Sequence, residues 1–357
     1  MRRRKIYATI LIFGMAASLL ACGKTDKIPD TETEVTEEEA ETEVELEVAE
    51  APGEEPTETE EEPTEIEEVE DETVQIYKRF LNDEVKVHYN GERHADGNGY
   101  EWYVTEGDYT FSELIDIYRT DCAQSVAPDR EGIVSVAYAY IDCGMDGTKE
   151  LALKIVDEVA ADSWEEFLVI KDFDGSLESI YSDTGWARRQ VSINKYGFVY
   201  VFGSGGAASH GSDEGYIDGD GKYHFIYYMA SEIIELADYN DYCWDVYVND
   251  KFCKIEGSEK YKGTYEILAV NFQDRTGSGG AFVTYRKLDE ETYEAISDAS
   301  IHNPGNPIRD SLENAGKKVC TPKEFERMVA EQEKNEGLTE SIMEGELVKW
   351  KSLDTAN

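Results

Sequence analysis

The sequence lacks an apolar run long enough to cross a bilayer. Its longest, Ile6 to Leu20, has 15 residues, whereas about 20 helical residues are needed for roughly 30 Å of hydrocarbon. Cations are scarce too, with 34 Lys or Arg against 78 Asp or Glu and a formal net charge of −44. No basic stripe exists to displace counterions from a phosphate backbone, which excludes nucleic acid as a partner. Cysteine is sparse, and no close Cys-x-x-Cys pair occurs. With Cys22 set aside, Cys122, Cys143, Cys243, Cys253 and Cys320 are odd in number, so an ordered disulfide framework is not implied. Buried free thiols are the expectation, and Cys243 with Cys253 is the pair that can meet across neighbouring strands. His88, His94, His210, His224 and His302 do not sit at ligand spacing with any cysteine pair, which argues against zinc.

What is present begins with an address. Arg2, Arg3, Arg4 and Lys5 precede the apolar stretch, the order of charge then grease that marks a signal peptide. The stretch ends in Leu19-Leu20-Ala21-Cys22, which matches a lipobox. Small and aliphatic residues there admit a signal peptidase to a cysteine whose thiol carries diacylglycerol. Residues 1–22 are therefore expected to be a lipoprotein signal with lipidation at Cys22. Two acyl chains, at about 0.8 kcal/mol per buried methylene, anchor durably. The expected location is the extracytoplasmic face of the cell membrane, with the membrane itself a partner through the lipid.

From Gly23 to Glu72 the chain holds 24 Asp or Glu against Lys24 and Lys27, half of the total net charge, and no aromatic residue. Pro29, Pro52, Pro56 and Pro63 interrupt any helix, and like charges four apart repel. The segment reads as a disordered Glu/Thr/Pro-rich linker, a stalk for the folded body.

Residues 73–357 read as one folded α+β domain. Val74, Tyr77, Phe80 and Leu81 recur at helical spacing, as do Phe111, Leu114, Ile115 and Tyr118 behind the capping box Thr110 to Glu113. Between about 134 and 288 the pattern changes to short Val, Ile, Tyr and Phe runs such as "ELALKIV", "EFLVIKDF" and "FVYVF", which are strands. The dipeptides Asp146-Gly147, Asp174-Gly175 and Asp220-Gly221 read as hairpin turns. Helical signals return near Glu290 to Ser297 and after Thr321, where Thr321-Pro322-Lys323-Glu324 combines a capping box with proline at the first helical position. The last strand candidate is "ELVKWKSL". The expectation is a β-rich antiparallel meander with short flanking helices at both ends, the helices on one face of the sheet.

Three features bear on chemistry. In "DCGMDGTKEL", after the strand "VAYAYI", Asp142, Asp146, Thr148 and Glu150 fall where a calcium loop places ligands, with Gly147 in place to turn the chain. Gly144 stands where a carboxylate is wanted and Leu153 where an EF-hand has its bidentate Glu, so a metal-free hairpin is the competing reading. The glycine-rich "FGSGGAASHGSDEG" contains Ala207-Ala208-Ser209-His210-Gly211, the spacing of a variant nucleophile elbow, but a strand comes next in place of a helix, so the stretch reads as a flexible hairpin loop. Tyrosine is abundant, 23 against 12 Phe and 5 Trp, and rows of it either stack on ligands or pack half-buried strands.

The run "YAYIDCGMDGTKELALKI", with "YKRFLNDEVKV" and "DFDGSLESIY", resembles lipoproteins of Gram-positive gut-type bacteria that share a "YAxID...DGxxEL" core, itself similar to single FG-GAP-type repeats. The resemblance implies an envelope location and a β-rich fold, and no reaction. Together these features lead to the expectation of a non-catalytic binding or interaction module for a surface ligand (a glycan, a peptide or an envelope protein), steadied by Ca2+ if the loop is a site. The alternative is an extracellular hydrolase acting on cell-wall or host polymers, since paired carboxylates leave no sequence signature.

Overall fold

The computed structural model describes residues 74–90, 104–126, 134–157, 164–236, 242–245, 252–255, 261–273 and 282–353, all within the unit Glu70–Asn357. The expected signal peptide, Cys22 and the linker 23–72 lie outside the described residues. Among the described residues no helix is long and apolar enough to cross a membrane.

The domain is α+β and β-rich, with antiparallel pairing dominant. It opens with α1 (Gln75–Leu81), β1 (Val87–Tyr89), β2 (Gly107–Tyr109) and α2 (Phe111–Val126). The expected capping box starts α2: Thr110 N donates to Glu113 Oε2 at 2.8 Å and Glu113 N to Thr110 Oγ1 at 3.3 Å. The meander continues as β3 (Val134–Ile141), β4 (Glu150–Asp157), β5 (Glu165–Phe173), β6 (Ser176–Gly185), β7 (Arg189–Ile193), β8 (Phe198–Ser204), β9 (Ser209–Ile217), β10 (Tyr223–Leu236), β11 (Tyr242–Asp245), β12 (Phe252–Ile255), β13 (Gly263–Asn271), β14 (Phe282–Leu288) and β15 (Ala295–Ile296). It ends in α3 (Pro307–Asn314), β16 (Lys318–Val319), α4 (Pro322–Asn335), α5 (Glu340–Met343) and β17 (Lys351–Leu353).

The meander does not form one sheet. A first sheet runs β17-β3-β4-β5-β6-β1-β2 and a second runs β15-β14-β13-β10-β9-β8-β7 with β16 beside β14, while β11 and β12 make a separate ribbon. Helices pack on both sheets, not on one face as expected. Tyr77, Phe80 and Leu114 from α1 and α2 bury against Leu151, Leu153, Leu168 and Ile170. The opposite face of the first sheet, through Ala152, Phe167, Val169 and Tyr181, meets Val191, Ile193, Val199, Val201 and Ile217 of the second. Phe325 of α4 and Ile342 of α5 pack with Tyr216, Ile226 and Val270, and α3 sets Ile308 and Leu312 against Ile234, Ile267 and Tyr285. Each such side chain, fully buried, contributes roughly 1.5–3 kcal/mol.

Several local readings change. Asp174-Gly175 is the expected two-residue hairpin turn, both residues at positive φ, 53° and 94°. Asp146-Gly147 instead closes an eight-residue connection containing a 3₁₀ turn, Cys143–Met145, with Asp146 at φ −90°. Most of the glycine-rich stretch 202–215, expected as a hairpin loop, is strand: 202–204 end β8 and 209–215 belong to the interior strand β9, paired with β8 and β10. The helical signal at Glu290 to Ser297 is a hairpin, because the Asp289 carboxylate accepts Glu291 N at 3.0 Å and Thr292 N at 2.9 Å and turns the chain back as β15. Cys243 pairs in register with Lys254 and Cys253 with Trp244, so the two cysteines are not opposite one another. Cys143 is a buried free thiol and Cys320 a half-buried one.

Of "ELVKWKSL", only Lys351–Leu353 is strand, and the residues before it do something else. Lys195 N donates to Glu346 O at 2.9 Å and Val348 N to Ile193 O at 3.1 Å, so this segment lies along the β7 edge of the second sheet before β17 joins β3 at the edge of the first. Trp350 packs on Phe167 between them, ring centroids 6.0 Å apart. Asn194, 2% exposed, holds the seam. Its Nδ2 donates to Ile342 O at 2.6 Å and its Oδ1 accepts Tyr196 N at 2.8 Å and Phe198 N at 3.0 Å. Asn194→Ala leaves these buried groups unpaired and is expected to cost about 3 kcal/mol, lowering the thermal midpoint by several degrees. Leu347→Ala, at an exposed position on the same seam, serves as the control and is expected to change the midpoint little; equal losses in a melting comparison would contradict the role given to Asn194.

Candidate functional site

At one end of the sandwich, turns from both sheets meet around Cys143. Asp142 N donates to Lys195 O at 2.9 Å and Gly144 N to Tyr196 O at 3.2 Å, joining the β3–β4 connection to the β7–β8 turn. Gly144 has φ +71°, and a Cβ there would lie 2.4 Å from Gly219 N in the β9–β10 turn. Gly197, at φ +79°, leaves room for the Cys143 sulfur, which a Cβ would approach to 3.0 Å. Only glycine meets both demands at these two positions, left-handed backbone and close approach. From the helical side, buried Tyr77 of α1 donates its hydroxyl to Lys149 O at 2.7 Å and accepts Asp172 N at 3.0 Å.

The four sequence-predicted ligands are divided by this geometry. Asp142 Oδ1 accepts Gly147 N at 3.0 Å, with Lys149 Nζ 3.7 Å from its other oxygen. Asp146 Oδ1 accepts Thr148 N at 2.7 Å. Asp142, Asp146 and Thr148 thus sit around one turn, two of them capping its backbone. Glu150 stands apart beneath it, fully buried, where Oε1 takes Lys171 Nζ at 2.6 Å and Oε2 takes Cys143 N at 2.8 Å. Burial holds the Glu150 carboxyl above its usual range even beside the ammonium, and pushes the Cys143 thiol well up, which makes it a poor nucleophile. Among the described residues no group of three or more His, Cys, Asp or Glu side chains lies close enough to hold a metal ion. The donor set, with one carboxylate neutralised by Lys171 and the others closing turns, does not fit a calcium cage.

Ser209 opens β9, its hydroxyl bonded to Glu232 across the β9–β10 pair at 2.5 Å. His210, the next residue along the strand, faces the opposite side, so nucleophile and base are not brought together. The imidazole is buried against the Phe202 ring, centroids 5.7 Å apart, with neither nitrogen hydrogen-bonded. Glu165 and Glu166 likewise point to opposite faces: Glu165 pairs with Lys154 at 2.6 Å, and buried Glu166 accepts Thr184 Oγ1 at 2.8 Å.

Sequence reasoning missed the aromatic corner at the passage between sheets, where Trp164 stacks on Trp186 with ring centroids 5.8 Å apart. The signal available was "TGWARRQ", a tryptophan beside two arginines in an acidic chain. Comparison with protein-family models, with curated proteins and with solved structures gives no match to this chain.

Glu150→Gln strands the Lys171 ammonium in the interior and is expected to cost about 3 kcal/mol, equally in calcium and in chelator, while wild-type midpoints in the two media agree; a calcium-dependent rise that Asp146→Ala removes would instead make the loop a metal site. Burial also pulls the His210 imidazole below its ordinary value, so the unfolded chain takes up the proton first. Its stabilising share is whole above the unfolded value near 6.5 and is lost as pH falls through the lower folded value. His210→Phe is expected to lose less stability than wild type between neutral pH and pH 5, read from denaturant midpoints; parallel profiles would show that His210 titrates normally.

Proposed function

We propose that this protein is a lipid-anchored protein of the extracytoplasmic membrane face whose folded body, carried on an acidic stalk, is a non-catalytic binding module for a surface ligand. The observation that carries the reading is the tripartite start of the chain: a basic cluster, 15 apolar residues ending in Leu-Leu-Ala-Cys, and then a segment with 24 acidic residues and no aromatic one. The body supports it. Ser209 and His210 diverge, and the carboxylates of the Asp142 loop are spent on turns and on Lys171. Half-buried tryptophans meanwhile stack where two sheets join, and such surfaces serve recognition.

Cys22→Ser is expected to abolish labelling by a fatty-acid probe and to release the protein from the membrane fraction, because serine offers no thiolate to the diacylglyceryl donor. Labelling as strong as wild type would remove the anchor. On arrays of glycans and peptides the full chain is expected to retain a ligand without altering it, and cleavage of a captured polymer would favour the hydrolase alternative.

A further inference from the structure

The chain passes from the first sheet to the second through a two-residue turn, Ala187-Arg188. It is closed by Trp186 N on Arg189 O at 2.7 Å and Arg189 N on Trp186 O at 2.8 Å. Ala187, Arg188 and Gln190 are exposed, and Trp186 and Trp164 are half-buried. The planes of the two indoles lie 29° apart, close to a stack. The Arg189 guanidinium lies 5.5 Å from the Trp186 ring and is itself held by buried Asp183 at 2.6 Å. A buried ion pair therefore fixes the inner indole, and the inner indole supports the outer one. Such a platform loses little freedom when a ligand arrives.

Among the described residues, charge at this corner is nearly all paired or buried. Lys154 pairs with Glu165 at 2.6 Å, Arg189 with Asp183, and the further carboxylate that acts on Arg189, Asp213, is buried. Arg188 forms no ion pair among the described residues and projects from the turn as an exposed cation in a chain of net charge −44. In physiological salt charge more than about 8 Å from the turn is largely screened, and Arg188 is the exposed cation beside the rings.

An indole face receives the C–H bonds of a pyranose, and a guanidinium receives a carboxylate through two parallel N–H···O bonds. We infer that Trp164, Trp186 and Arg188 form a subsite for a uronic-acid glycan, the sugar ring seated on the indole platform and its carboxylate directed to Arg188. The inference rests on the reading of the body as a binding module and names its ligand class. A neutral sugar leaves the cation unused, and an open-chain polyanion leaves the rings unused.

The test is calorimetric titration of the full chain in detergent micelles with an oligomer of galacturonic acid and with the same oligomer fully methyl-esterified. The acid is expected to bind. Arg188→Gln is expected to weaken the acid about tenfold and to leave the ester unchanged, whereas Trp164→Ala weakens both about tenfold. Trp164→Phe, which keeps a ring, falls between, and thermal midpoints verify that each variant is folded. The subsite is overturned if the wild type does not bind the acid, or binds it with an affinity that neither Arg188→Gln nor the Trp164 variants alter. If that happens while a peptide or another glycan is retained on an array, the subsite falls and the binding module stands; if the array retains nothing, both fall.

Discussion

Asn194, the residue that follows β7, joins the turn into β8 to the end of α5 and the residues just beyond it, at sequence distances of 148 to Ile342 and 151 to Gly345. Its side-chain amide donates to Ile342 O and accepts Tyr196 N and Phe198 N, and around it the C-terminal segment pairs first with the edge of the second sheet and then, through β17, with the edge of the first. An exposed sheet edge is a row of unpaired backbone donors and acceptors. Here one segment covers an edge of each sheet, and Trp350 fills the space between. The apolar layer between the sheets, which includes Ile141 and Ile217, is flanked at this seam by Val348 and Trp350.

The residues that look chemically suggestive in the sequence are engaged in local structural bonds. In the solvent-exposed part of the β3–β4 connection, Asp142 and Asp146 close the turn by accepting Gly147 N and Thr148 N. Glu150 and Lys171 are buried together, an arrangement that is costly to break and of modest net worth when intact, but which fixes the end of β4 against β5. In the proposed binding module, recognition falls to the corner between the sheets, where Asp183 pairs with Arg189 against the Trp186 ring and the tip stays exposed.

Much of the fold was legible from local pattern. "ELALKIV" and "FVYVF" alternate as strands should, the capping boxes at Thr110 and Thr321 start helices where they stand, and Asp174-Gly175 turns as its dipeptide requires. What failed were segments whose state is decided at long range. In β9, "SHGSDEGYI" has few strand formers, yet it is central because its neighbours accept Gly211 and Gly215 beneath Tyr228 and Tyr223. Glu290 to Ser297 has helical composition, but one carboxylate, Asp289, turns it into a hairpin. The division of one meander into two sheets, and the seam at Asn194, depend on pairings that no window of the sequence contains. For the candidate loop, the residue types were legible and their partners were not, since Lys171 lies 21 residues from Glu150.

If the seam closes the domain, its hydrogen bonds open only when the domain does. Native-state hydrogen exchange on the full chain measures this directly, through the amides of Lys195 and Val348 and those paired between β17 and β3. The account predicts that they exchange as slowly as Ile217 of the central strand β9, all released by one opening with a common dependence on denaturant. Fast exchange at Lys195 and Val348 while Ile217 stays protected would contradict it, showing a C-terminal segment that rests on the sandwich without closing it.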